Sequence, residues 1–174
     1  MFKIKIITSI ITFLFISSIS QANLNIVYID MDYIFNNSKA GKSINDQIES
    51  KKNDNKKKVK ISEDEIKKES QNINNQQNIL SEDEIKIRID SLNKKIKNLQ
   101  NKVKENNNLI AKMKLEGTAK LLKQLKPILS EYSEKNNISL VLQKKNVIIG
   151  KNNLNITDDI IKIIDDKVQK IDIN

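Results

Sequence analysis

The 174-residue chain has no cysteine, no histidine and no tryptophan, one proline, three glycines, and only 4% aromatic residues. Each absence excludes something. Without cysteine there are no disulfides, thiolate metal sites, thiol nucleophiles or lipid-modified cysteine anchors. Without histidine the commonest general base and metal ligand is gone. Together these absences remove most hydrolase and metalloenzyme chemistries and leave open only paired carboxylates or a Ser/Lys pair; the expectation is a binding protein with no cofactor and no enzymatic step. Scarce aromatics argue against an ordinary compact core. Scarce glycine and proline mean few turns, hence long elements. The chain is 30% charged with a formal net charge of +9, and Arg88 is its only arginine, so the positive charge is almost wholly lysine.

The N-terminus carries Lys3 and Lys5, a mostly apolar run from Ile6 to Ile19, and Ser20-Gln21-Ala22 with small residues at the outer positions. That is the three-part pattern of a secretory signal peptide over 1–22. The apolar run is shorter than the ~20 residues of a spanning helix. Export is therefore expected, leaving Asn23–Asn174 as the mature chain.

Three zones follow. Ile26-Val27-Tyr28-Ile29 reads as a buried strand, Met31 to Phe35 as a short helical turn, and Ser38 as a helix N-cap. From Lys39 to Asn136 no stretch suits a core strand. Ile85, Ile89, Leu92, Ile96, Leu99, Val103, Asn106, Ile110 and Met113 alternate spacings of four and three, a heptad seam interrupted once by Asn106. The seam passes through a stutter at Gly117 and continues over Leu121, Leu125, Ile128 and Tyr132. Upstream, Val59, Ile66, Ile73 and Leu80 recur every seven residues with polar partners Ser62, Glu69 and Gln76. So weak a seam needs the richer helix to lie against.

A polar cluster at Asn74–Asn78, followed by the Ser81–Glu84 capping box, predicts a turn near 74–82. Pro127 is expected to kink the long helix. In the third zone, Ser139–Leu142 and Asn146–Ile149 read as strands, and Thr157 as the cap of a final helix over Ile160–Val168. The fold class is thus α+β: a small β-strand oligomerisation body, 23–38 with 137–174, and a long antiparallel α-helical coiled-coil hairpin arm, 39–136.

Gly41-Lys42-Ser43 resembles the end of a phosphate-binding loop, but Asn36 stands where that loop needs its first glycine. A helix entrance, with Gly41 permitting close packing, is the better reading. Charge is more informative. Lys51–Lys60 holds six lysines against Asp54, and Lys94–Lys126 holds ten against Glu105 and Glu116. The candidate binding residues are Lys52, Lys56, Lys57, Lys58, Lys60, Lys94, Lys95, Lys97, Lys102, Lys104, Lys112 and Lys114, a basic band on the inner half of the arms. Such a band attracts acidic unfolded chains and anionic lipid. Nucleic acid is not expected, because no aromatics interleave with the lysines. Residues 61–90, at the arm tips, are net acidic. The candidate oligomerisation residues are Ile26, Val27, Ile29, Leu140, Val141, Leu142, Val147 and Ile149.

Three stretches are similar to the Skp/OmpH family of periplasmic chaperones: Ile26–Met31 through Ile34-Phe35 to Ser38–Lys42; Ile138–Leu142 with Asn146–Ile149; and Ile156–Ile161. The resemblance implies a homotrimer in the periplasm. Its arms would hang from the β body and hold unfolded outer-membrane β-barrel proteins without ATP. The acidic tips depart from the basic tips the resemblance implies, which bears on any contact with anionic lipid or lipopolysaccharide. The competing reading is a structural coiled-coil spacer of the envelope that binds no client.

Overall fold

The computed structural model describes residues 24–173; the expected signal peptide lies outside them. Strand β1 (Ile26–Ile29) leads into the short helix α1 (Met31–Asn37), then α2 (Lys39–Gln76), α3 (Glu82–Lys135), β2 (Leu140–Gln143) and α4 (Thr157–Lys167). Single 3-10 turns at Lys144–Asn146 and Asn152–Leu154 fill the gap between β2 and α4.

The two strands pair in parallel, Ile26 with Leu140 and Ile29 with Gln143. A parallel pair needs a long crossover, and here the whole helical hairpin supplies it. On its other edge β1 makes a single bridge, Tyr28 to Asn155. Asn146–Ile149, expected as a strand, is not one: Lys144–Asn146 forms a 3-10 turn and Ile148 and Ile149 are 99% and 91% exposed. Val147 N bonds back to Lys144 O at 2.9 Å, closing the turn, and among the described residues the segment pairs with neither strand.

Local chemistry sets the helix ends. Ser38 caps α2, its Oγ accepting from Gly41 N at 3.0 Å. Ser81 and Glu84 form a reciprocal capping box at the start of α3, and the residues between Gln76 and Glu82 reverse the chain. Asn137, at φ 50°, is in the left-handed region just past α3 and lets Ile138 N bond back to Ser133 O at 2.9 Å. Thr157, expected as a cap, is the first residue of α4 and has another task. The Asn155 side chain accepts from Thr157 N at 3.1 Å, while Thr157 Oγ1 accepts from Asp30 N at 2.9 Å. Pro127 lies inside α3 without ending it.

The core gathers where the arms leave the body. Val27 and Ile29 of β1, Ile34 and Phe35 of α1, Ile44 and Ile48 of α2, Leu121, Leu125 and Ile128 of α3, and Ile160 and Ile164 of α4 form one buried cluster. Asp30 ties its pieces together. Its carboxylate caps α1 through Tyr33 N at 2.9 Å and pairs with Lys144 at 2.8 Å. The bond from Lys144, then the bond from Tyr33 N, holds the Asp30 carboxyl below the usual carboxylate range. A lowered folded-state pKa contributes stability above the unfolded value of about 3.9 and loses it as pH falls through the folded value. Wild-type protein is therefore expected to lose body stability below about pH 4. Asp30→Asn should be less stable at neutral pH and show a flatter acid limb. Urea titrations across pH 2–7 check this; parallel acid limbs would assign the loss to other carboxylates.

Candidate functional site: the helical arms

Helix α2 has 38 residues and α3 has 54, so the arms reach roughly 55 and 80 Å at 1.5 Å per residue. They run antiparallel. Arg88 Nη1 donates to Gln76 Oε1 at 2.6 Å near the tip, Lys95 pairs with Glu69 at 3.8 Å further in, and Gly117 packs on Ile44 at the root. The α2 residues at the expected heptad positions (Val59, Ser62, Ile66, Glu69, Ile73, Gln76) are shielded, while their neighbours are exposed. The weak seam therefore does lie against the rich one.

Burial along α3 is graded. Met113, Gly117, Leu121, Leu125 and Ile128 are buried at the root; Ile85, Leu92, Ile96 and Leu99 are half-buried; Val103 and Ile89 are exposed. Two helices cannot enclose a seam that one of them supplies alone. The outer arms thus carry apolar side chains in solvent, among them Ile87 and Ile61, and Leu115 near the root is exposed on the side away from the seam.

Mid-arm, the packing gives way. Asn55 and Asn106 meet where the heptads call for apolar residues, and clefts of about 200 and 300 Å³ open on the two sides. Asn55 Nδ2 is out of solvent contact and has no hydrogen-bond partner among the described residues. An orphaned amide costs about 1–3 kcal/mol. Asn55→Leu is expected to stabilise the hairpin by about 1 kcal/mol and to slow amide exchange near Val59 and Val103. Faster exchange would show that the asparagine pair supports the arm.

The twelve candidate lysines are all exposed and all on the arms. Lys52 and Lys56 flank one cleft beside Val103 and Ile110; Lys58 and Lys102 flank the other. The lysines therefore surround the soft part of the seam on both sides and do not share one face. Lys57, Lys94, Lys97, Lys104, Lys112 and Lys114 extend this charge along the helices, whereas Lys52, Lys60 and Lys95 pair with Glu49, Asp64 and Glu69. Lys95 thus lies outside the doubly basic stretch, against the acidic side of α2.

At the tip, Glu82, Asp83 and Glu84 fill the first turn of α3, where the helix dipole favours them. Hydrogen bonds from the Ser81 backbone and hydroxyl hold the Glu84 carboxyl below its ordinary range. Part of the acidic tip is thus a helix start. Gly41-Lys42-Ser43 lies inside α2, with Gly41 against the Phe35 backbone and Ser43 Oγ bonded to Ala40 O. This is the helix-entrance geometry. Among the described residues, no group of His, Cys, Asp or Glu could hold a metal ion, and no helix is long and apolar enough to cross a membrane.

The candidate oligomerisation residues divide in two. Val27 and Ile29 are buried in the chain's own core, and Val141 packs against it. Ile26, Leu140 and Ile149 are exposed, and Leu142 and Val147 half-buried. Sequence reasoning missed Ile44 and Ile48 at the root of α2, although their spacing of four from Ala40 was a signal. It also missed Ile171 and Ile173, which follow α4 and are buried.

The family model for outer membrane protein (OmpH-like) matches residues 25–164. The chain belongs to the OmpH-like family. A crystal structure of an OmpH-like protein from Caulobacter crescentus, described there as a candidate outer membrane chaperone, superposes with a TM-score of 0.77. The match covers 86% of this chain and 88% of that one at 11% identity, a likeness of fold. No curated protein matches. The OmpH-like fold accounts for the division seen here: helical arms projecting from a small two-stranded body.

Proposed function

We propose that this OmpH-like chain is an ATP-independent holdase of the periplasm. It would bind unfolded outer-membrane β-barrel proteins and keep them soluble on their way to the outer membrane. The observation that carries the reading is the arm surface itself, with apolar seam residues left half in solvent between lysines on both sides. Many weak apolar contacts suit an unfolded chain, and lysines draw in acidic segments over about a Debye length, ~8 Å at physiological salt.

A homotrimer fits the body. Ile26, Leu140, Ile148 and Ile149 form exposed apolar positions beside a β2 edge with no strand partner among the described residues. Such an edge calls for cover, and a second copy supplies it. Any contact with anionic lipid or lipopolysaccharide would fall to the lysines, since the tips carry Glu82, Asp83 and Glu84.

The test is dilution of a urea-unfolded β-barrel protein into buffer with the folded chain and no nucleotide, followed by light scattering. Suppression at about one oligomer per client, weakened by salt and by Lys→Gln substitution at Lys56, Lys58, Lys102 and Lys104, is expected. Unchanged scattering would leave the envelope spacer as the better reading.

A further inference from the structure

The segment after α4 is not a loose end. Val168–Ile173 leaves the helix and lies against the root of the hairpin, touching both arms. From α2, Ser43 Oγ accepts from Ile171 N at 3.0 Å, and the Gln47 amide holds the next groups. Its Nε2 donates to Ile171 O at 2.7 Å and its Oε1 accepts from Ile173 N at 3.0 Å. From α3, Lys120 Nζ donates to Asp172 O at 2.8 Å. Ile171 and Ile173 are both buried, and Ile173 lies over Gly117, where an added Cβ would sit 3.6 Å from it.

Two side chains one helical turn apart thus satisfy N–H and C=O of one residue and N–H of the residue two further on. That is how one edge of a β-strand is bound by a neighbouring strand. All of these bonds go to main-chain groups. Selectivity comes only from two apolar sockets spaced i and i+2. A groove of about 360 Å³ adjoins Ile173 and continues between the arms, with Leu109 and Met113 on one wall and Gln47 and Lys51 among its polar lining. The recognition surface extends past the two sockets.

We propose that this root groove is a binding site for extended segments with apolar residues two apart, and that the chain's own tail fills it as an exchangeable plug. The occupant exchanged for the tail is a stretch of unfolded polypeptide with period-two alternation, the pattern of a membrane β-barrel strand. The proposal rests on the holdase reading for its client. It gives that client a defined, backbone-directed first contact at the base of the arms, distinct from diffuse capture along them.

The test uses the full chain and a fluorescein-labelled peptide of the tail's sequence, Lys167–Asn174, followed by anisotropy. The double variant Ile171→Ser, Ile173→Ser loosens the tail and leaves the groove intact; it should bind the peptide at least tenfold more tightly than wild type. Adding Gln47→Ala should remove that gain, and a peptide with both isoleucines changed to serine should not bind. Absence of binding by the folded double variant, or equal binding of the serine peptide, overturns the proposal.

Hydrogen exchange on wild-type protein gives a check independent of any variant's folding. The Ile171 and Ile173 amides should exchange at least a hundredfold faster than those around Leu121, because the plug leaves without unfolding the body. Exchange only at the global rate would make the tail a permanent staple and sink the idea. Tail protection that rises with protein concentration would show tails traded between copies, which also overturns it. Peptide binding without suppressed client scattering would contradict the holdase alone; suppression without peptide binding would contradict the groove alone.

Discussion

Gly41→Ala is expected to destabilise the body by about 3 kcal/mol or more, near the upper end of overpacking costs. A Cβ at position 41 would stand 2.0 Å from the Phe35 carbonyl oxygen and 2.6 Å from its carbon. These are backbone atoms of α1 and cannot rotate away. Relief requires α1 and α2 to separate, pulling Ile34, Phe35, Ser38 and Ala40 from their buried positions. The sign is informative because glycine to alanine inside a helix ordinarily stabilises, by roughly 0.5–1 kcal/mol. Gly117→Ala is the comparison: its Cβ would meet the Cγ2 methyl of the buried Ile44 at 2.4 Å, a clash with one side chain and not with backbone, so its loss should be the smaller. Urea unfolding of the two variants should show the larger loss at position 41. Equal, small effects would mean that α1 shifts without cost and that the helix entrance is loosely packed.

Leu121→Ala is the second large effect, about 2–5 kcal/mol for emptying a closed site. Leu121 is fully buried where the seam enters the body, against the cluster that includes Ile44 and Ile160. Leu92 occupies the same seam some eight turns further out and is only half-buried. Leu92→Ala should cost about 1 kcal/mol or less, because part of its surface is already wet. The ratio of the two losses measures the gradient along the arm. Comparable losses would mean that the outer arm is enclosed, most directly by neighbouring arms of an oligomer, and that its apolar residues are not free for clients.

The hairpin was legible because its signals are local and periodic. Heptad spacing from Ile85 to Met113, the Ser81–Glu84 capping box and the polar turn before it each name one feature, and they agree. Ser38 and Gly41 were legible for the same reason. What failed depended on partners far away in sequence. Asn146–Ile149 has strand composition, but the 3-10 turn at Lys144–Asn146 carries it away from the sheet, whose two strands it does not join. Thr157 has cap composition, but its hydroxyl accepts from Asp30 N, 127 positions upstream. The tail escaped notice because Ile171 and Ile173 make too short an alternation to stand out; only Ser43 and Gln47, on another helix, give it meaning. In the candidate site the lysines were found by charge runs, yet their division around two clefts follows from the antiparallel register. The orphaned Asn55 amide is likewise a consequence of which residue stands opposite.

The central claim is that unfolded clients are held on the arms. The chain has no cysteine, so single cysteines can carry a photo-crosslinker without background. Placed at Lys104 and Leu115 on α3 and at Lys162 on α4, the probe would be activated with a unfolded β-barrel protein bound. Cross-links from positions 104 and 115 and none from 162 are the expected result. Cross-links from position 162 alone, or from no position while scattering is suppressed, would contradict the assignment of client binding to the arms.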